Sequence, residues 1–193
     1  TLVAANTDAR ALAQHAADAQ VVLGQRTTRG LGAGGRPSVG FAAARESTAE
    51  LQAAMAGADL VFVAAGLGGG TGTGAAPLVA HLAREDGALV VGVVTLPFGF
   101  EGLRRARLAQ QGLDALAEQV DSLLVVPNDR LLELDGGEPT VTEAFRLADG
   151  VLGDGVRGIG DLVWRSGLVN LDFADVAAVL RAGRRTCRHR THL

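Results

Sequence analysis

The sequence predicts an α/β domain, a Rossmann-like parallel sheet with helices on both faces, and three observations carry that expectation. Short β-branched apolar runs alternate along the chain with stretches of helical spacing. The runs are apolar throughout rather than at every second residue, as suits strands covered on both faces. Each of the stronger runs ends in a turn rich in glycine, proline or asparagine, where an open α/β sheet carries its ligands. Strand, helix and strand in succession favour parallel pairing through right-handed crossovers.

In chain order, TLVAANT (1–7) and QVVLG (20–24) are the two weaker strands, with a short helix, DARALAQHA (8–16), between them. ARESTAELQAAMAG (44–57) reads as one amphipathic helix closed by Gly57. DLVFVAA (59–65) is a buried strand, followed by a helix, AAPLVAHLARE (75–85), with Pro77 in its first turn where proline is tolerated. ALVVGVVTL (88–96) and SLLVVPN (122–128) are further buried strands, and FEGLRRARLAQQGLDALAEQV (100–120) between them is helical with a weak point at Gly112. TVTEAFRLADGVLGDGVRGIGDLVWR (140–165) has helical spacing, but its glycines at 150, 153, 155, 158 and 160 argue against one unbroken helix. No internal repeat is present, and the glycine clusters at 30–35 and 66–74 read as loops inside the pattern, not as linkers.

At 193 residues, the chain is long enough for one domain with a sizeable core. No apolar run approaches the roughly 18 residues of a membrane span, and no signal peptide is visible. A single cysteine, Cys187, excludes a disulfide framework and a cysteine-based metal site, and favours a reducing cytosol. The net charge of −3 argues against a nucleic-acid binder. All 18 basic residues are arginines, and five of them (Arg181, Arg184, Arg185, Arg188 and Arg190) crowd the last thirteen residues. That tail is expected to be a solvated or non-native extension.

The most specific stretch is GLGGGTGTGAAP, Gly66 to Pro77, between a strand and a helix. Glycines let a backbone approach phosphate oxygens closely, and the free N–H groups of a helix start attract anions. Gly68, Gly69, Gly70, Thr71, Gly72, Thr73 and Gly74 are therefore expected to wrap a phosphate chain. A P-loop needs a lysine, and the chain has none. A dinucleotide fingerprint can be forced onto Gly70, Gly72 and Ala75, but it lacks an acidic residue about 20 positions later. The third reading is GGGTGTG itself.

GGGTGTG after a strand and before a helix resembles the signature of the tubulin/FtsZ superfamily. The likeness extends in order through NTDARAL (6–12), TRGLGAG (28–34), GADLVFVAAGLGGGTGTGAAP (57–77), GVVTLPFGFEG (92–102), RR (104–105), VPNDRLL (126–132), EAFRLAD (143–149) and GLVNLDFADV (167–176). The resemblance implies a partial GTP-binding domain over 1–182, GTP and GDP as ligands, and Mg²⁺ with K⁺ as companions. Gly70 to Gly74 would hold the phosphates, and Ala33 and Gly34 would lie near the γ-phosphate. Asn6 and Asp8 would edge the site, although Asp8 or Thr7 also suits a helix cap. Thr95 and Pro97 would close over the nucleotide. Glu101 and Arg105 would contact ribose and phosphate; without the resemblance they are an i,i+4 surface ion pair. Asn128, Phe145 and Asp149 match the guanine pocket, where Phe145 stacks and the Asp149 carboxylate accepts two hydrogen bonds that adenine cannot donate.

In such proteins the loop NLDFADV (170–176) enters the nucleotide site of the next subunit. Asp172 and Asp175, with Asn170 beside them, would then position the attacking water, so hydrolysis would require head-to-tail contact and the contact would build a filament. The bland reading of the same aspartates is helix capping. The resemblance further implies a cytoplasmic subunit of the mid-cell division ring, partnered by copies of itself and by division-ring proteins and membrane tethers, without nucleic acid or direct membrane insertion. Three departures from the family stand out. Its first strand and glycine loop are expected to be absent before residue 1, residues 183–193 are off-pattern, and the second domain is expected to be absent. Arg36 also stands where the family usually has asparagine, and is expected to face solvent. A catalytic subunit, a non-catalytic fragment that caps filaments, and a Rossmann-type oxidoreductase are the functions weighed, the last disfavoured by the missing acidic residue.

Overall fold

The computed structural model describes residues 1–135, 139–164 and 178. The five expected strands are present and all pair in parallel, but in two sheets. β1 (Val3–Asn6) pairs with β2 (Ala19–Val22), with Val3 opposite Ala19 and Asn6 opposite Val22. β3 (Leu60–Gly66), β4 (Leu89–Leu96) and β5 (Ser122–Pro127) form the second sheet with β4 in the middle. Gly66 lies opposite Thr95, and Leu96 opposite Pro127. Among the described residues no ladder joins β1 to β3.

The faces of β4 explain why it is apolar throughout. Val90 and Val94 pack with Ala76, Ala80 and Ala83 of α5 (Thr71–Glu85) and with Ala109 and Leu116 of α6 (Leu103–Ala117). Gly92 lies on that same face, where a Cβ would sit 2.6 Å from Leu123 Cδ1 and 3.4 Å from Leu116 Cδ2. Neighbouring side chains point to opposite faces of a strand. Val93 accordingly meets the other layer, α8 (Val141–Trp164), at Gly155, whose Cβ would lie 3.3 Å from Val93 Cγ1. Helices thus cover both faces.

The smaller sheet has its own core. Val21 and Leu23 pack with Ala43 and Ala44 of α3 (Pro37–Glu46), Leu51 of α4 (Thr48–Met55), and Ala75 and Leu82 of α5. Helix α5 contributes buried residues to both clusters, and Met55 at the end of α4 also packs against both, so the two sheets are held together through these helices.

Several helices differ from expectation. The helix expected over 44–57 is two helices, α3 and α4, divided at Ser47. The Ser47 hydroxyl accepts from the Gly24 amide at 3.0 Å, which draws that residue toward the end of β2. Helix α3 begins at Pro37, well before the expected start, because its buried face is built from Gly40, Ala43 and Ala44 rather than large apolar residues. Short helices α1 (Ala9–Leu12), α2 (Gln25–Thr28) and α7 (Asn128–Asp135) are also present, and the last two are absent from the sequence reading. Helix α8 is continuous from 141 to 164 despite its glycines. Gly155 marks a close approach to the sheet, so one of these glycines serves packing instead of ending the helix. Among the described residues, no helix is long and apolar enough to cross a membrane.

Candidate functional site

Helix α5 starts at Thr71, inside the stretch read as loop. The free loop is therefore Leu67 to Gly70, and the expectation that Gly68 to Gly74 is all loop is corrected. Gly72 and Gly74 are glycines for a packing reason: a Cβ on Gly72 would run into the Gly66 carbonyl, and one on Gly74 into the Pro37 carbonyl. Their absence of side chains seats the first turn of α5 directly on the end of β3 and on α3. The loop is also tied down. Leu67 N–H donates to Thr95 O at 2.9 Å, and Gly68 N–H donates to Thr73 Oγ1 at 2.8 Å. Thr73 is thus engaged in closing the loop. The amides from Gly69 to Thr73 donate to no acceptor among the described residues. This is the open donor set of a helix start, free to receive an anion.

Two neighbouring segments close around this cradle. On one side lies the loop before α3. Ala33 is buried, and a Cβ on Gly70 would sit 2.7 Å from the Ala33 Cβ and 2.8 Å from the Arg36 amide nitrogen. Gly34 is exposed beside it, and Arg36 is exposed as expected. The loop is fixed to the end of β1, where Gly32 N–H donates to Thr7 O at 3.0 Å. Asn6 Oδ1 accepts from the Asp8 amide at 3.1 Å, while Asp8 Oδ1 caps α1 through the amides of Arg10 and Ala11. The capping reading of Asp8 is realised in the structure.

On the other side lies the turn after β4. Thr95 is buried, and Pro97 Cγ and the Arg105 carbonyl stand 3.2 and 3.0 Å from where a Cβ of Gly68 would be. Glu101 Oε1 accepts from the Phe98 amide at 2.9 Å, and its other oxygen pairs with Arg105. The ion pair expected from the spacing is present.

Beyond that turn stands an aromatic group. Phe98 is buried and stacks on Phe100 at 4.9 Å; Phe145 of α8 meets Phe98 edge-on at 5.4 Å and is 40% exposed. Asp149 follows one turn later on α8, exposed and without a protein partner among the described residues. The start of α8 is fixed by Thr140 and Glu143: the Thr140 amide and hydroxyl both donate to Glu143 Oε2, at 2.8 and 2.7 Å. Those bonds hold the Glu143 carboxyl below its ordinary range. Asn128, where β5 meets α7, is only 4% exposed, yet its Oδ1 accepts no hydrogen bond among the described residues. A buried amide oxygen without a partner costs free energy unless a ligand supplies the donor.

The structure therefore brings Gly68 to Gly74, Ala33, Gly34, Asn6, Asp8, Thr95, Pro97, Glu101 and Arg105 to the carboxyl ends of neighbouring strands, with Asn128, Phe145 and Asp149 at the β5 end. Asn170, Asp172 and Asp175 lie outside the described residues. Thr7, read from the sequence only as a candidate helix cap, has a different part here. It is fully buried, and its hydroxyl lies 2.6 Å from that of Thr71, joining β1 to the head of α5. Its signal was its position between Asn6 and Asp8 at a strand end. Asp129 is a participant the sequence reading missed; its Oδ1 accepts from Gly99 N–H at 2.9 Å and fixes the aromatic turn to α7.

An open-ended parallel sheet, a glycine-rich strand-to-helix loop with free amides, and a buried unpaired amide beyond an aromatic turn define a nucleotide-binding α/β domain. The family model for the tubulin/FtsZ GTPase domain matches residues 1–136, and the chain belongs to that family. Among solved structures it is similar to an empty FtsZ dimer from M. jannaschii, at 49% identity and a TM-score of 0.89, over 93% of this chain and 52% of that one. It is also similar to CetZ2 from Haloferax volcanii, a GTPgS-bound protofilament, at 28% identity and a TM-score of 0.76, over 93% of this chain and 53% of that one. The chain spans about half the length of these relatives.

Proposed function

We propose that this chain is the nucleotide-binding part of a GTP-hydrolysing subunit that assembles head to tail into a cytoskeletal filament. The observation that carries the reading is the buried, unpartnered Oδ1 of Asn128 at one end of a row of strand ends whose middle holds free loop amides. A guanine base fits the first and a phosphate chain the second. Asp149, exposed on α8 near the stacking Phe145, would accept from guanine N1–H and its exocyclic amine, and so select GTP over ATP. Mg²⁺, with K⁺, would travel with the phosphates and neutralise their charge.

Asn170, Asp172 and Asp175 are proposed to complete the site of the next subunit by orienting water. The FtsZ dimer and the CetZ2 protofilament among the similar structures support self-association. A place in the cytoplasmic division ring at mid-cell, with ring proteins and membrane tethers as partners, is proposed on the family resemblance of the motifs alone.

A second reading is a chain that binds nucleotide or filament ends and caps them without turnover. The division of the sheet between β1 and β3 favours keeping it. GTP turnover per molecule against protein concentration separates the two. A specific rate that climbs with concentration, is absent with ATP, and collapses in Asp172→Ala supports the catalytic subunit. No turnover at any concentration, with inhibition of an intact homologue, supports the cap.

A further inference from the structure

We infer that Arg36 is a terminal-phosphate ligand, and that it makes this site discriminate a nucleoside triphosphate from a diphosphate. The inference rests on the nucleotide reading above and adds a residue to it. Arg36 occupies the N-cap position of α3 but makes no capping bond through its side chain. Its guanidinium has no acid or carbonyl partner among the described residues, whereas Arg105, across the cradle, is paired with Glu101. Its backbone abuts the start of α5: the Arg36 amide nitrogen and carbonyl oxygen lie 2.8 and 3.2 Å from where a Cβ of Gly70 would be. Its exposed side chain lies over its own 32–36 loop, with Nε 3.9 Å from the Cβ position of Gly34.

The direction of the ligand follows from strand order. The base-sized features, Asn128 and Phe145, belong to β5 and α8 at one edge of the β3-β4-β5 sheet. The free amides follow β3 at the other edge; within their loop Gly68 is packed by Pro97 and Arg105 of the turn after β4, and Gly70 by Ala33 and Arg36 of the 32–36 loop. A nucleotide with its base at β5 must run its phosphates toward β3, so its last phosphate faces the 32–36 loop. An unpaired guanidinium there meets a doubly charged terminal group with fork geometry that suits phosphate oxygens.

The test is equilibrium binding of GTPγS and of GDP to the 193-residue chain and to Arg36→Asn, Arg36→Ala and Arg36→Lys. Asparagine is the informative variant, because it is a better helix cap than arginine and removes the guanidinium without weakening the start of α3. The expected result is a loss of about tenfold or more in GTPγS affinity in Arg36→Asn, with GDP affinity within about twofold of the parent and partial recovery in Arg36→Lys. Equal losses for both nucleotides, or no loss for either, would overturn the role of Arg36. A parent chain that binds neither GTPγS nor GDP would instead overturn the nucleotide reading, and this inference with it.

Discussion

At the scale of single residues, Asn128 and Glu46 illustrate two opposite uses of a polar side chain. Asn128 is buried with an oxygen that nothing among the described residues satisfies. Truncating it should cost the fold little, because no internal hydrogen bond to that oxygen is lost. Asn128→Ala is expected to weaken GTP binding about tenfold while its melting temperature stays within a few degrees of the parent, checked by titration and thermal melts. Glu46 is fully committed instead. Its carboxylate accepts from the Arg26 and Thr27 amides at 2.8 and 3.0 Å and from the Thr27 hydroxyl at 2.7 Å. The Arg26 amide leads these contacts, which lower its pKa to about 2. A lowered folded-state value means the contribution is present above the unfolded value and lost as pH falls from about 4.5 toward 2. Melting temperature should therefore fall across that window, and Glu46→Gln should flatten the dependence there.

At the scale of elements, the crossing of α3 and α5 organises the site. A Cβ on Gly40 would collide with the Gly70 carbonyl, and one on Gly74 with that of Pro37. The two backbones touch, and this contact sets the head of α5 beside the 32–36 loop. Gly40→Ala is expected to destabilise by about 1–3 kcal/mol and to weaken nucleotide binding with it, as read from urea denaturation and titration. Glycines within α8 should behave in the opposite way where they face open space. No atom of the described residues lies within 4 Å of a Cβ placed on Gly150. Gly150→Ala is expected to stabilise by about 0.5–1 kcal/mol through helix propensity alone. Chemical denaturation of the two variants side by side tests whether packing, and not composition, decides what a helical glycine does.

At the scale of the whole molecule, the two sheets share the buried face of α5. Every residue of β4 from Leu89 to Thr95 is buried, and the strand is hydrogen-bonded on both sides. Among the described residues β1 has a single pairing partner, and it exposes Ala5. Amide exchange is expected to be slowest in β4 and α5 and faster in β1 and β2, since local opening follows buried contact and ladder bonding. Exchange monitored by mass spectrometry would contradict this division of the fold if β1 proved as protected as β4.

The sequence by itself determined the strand and helix alternation, the five strands and the residues that converge at their ends. Those features rest on local signals: unbroken apolar runs, a glycine-rich strand-to-helix junction, and an order of motifs that names a family. Tertiary structure alone decided the rest. Helix α3 was hidden because its buried face is Gly40, Ala43 and Ala44, which read as weak until another backbone lies against them. The start of α5 within the glycine stretch was hidden for the same reason, since Gly72 and Gly74 look like loop residues until the Gly66 and Pro37 carbonyls fill the space beside them. Helix α8 stayed whole because the sheet, not its glycines, sets its path. Periodicity reports how much apolar surface a segment carries; it does not report how closely another backbone must approach it, and at this site close approach decides the geometry.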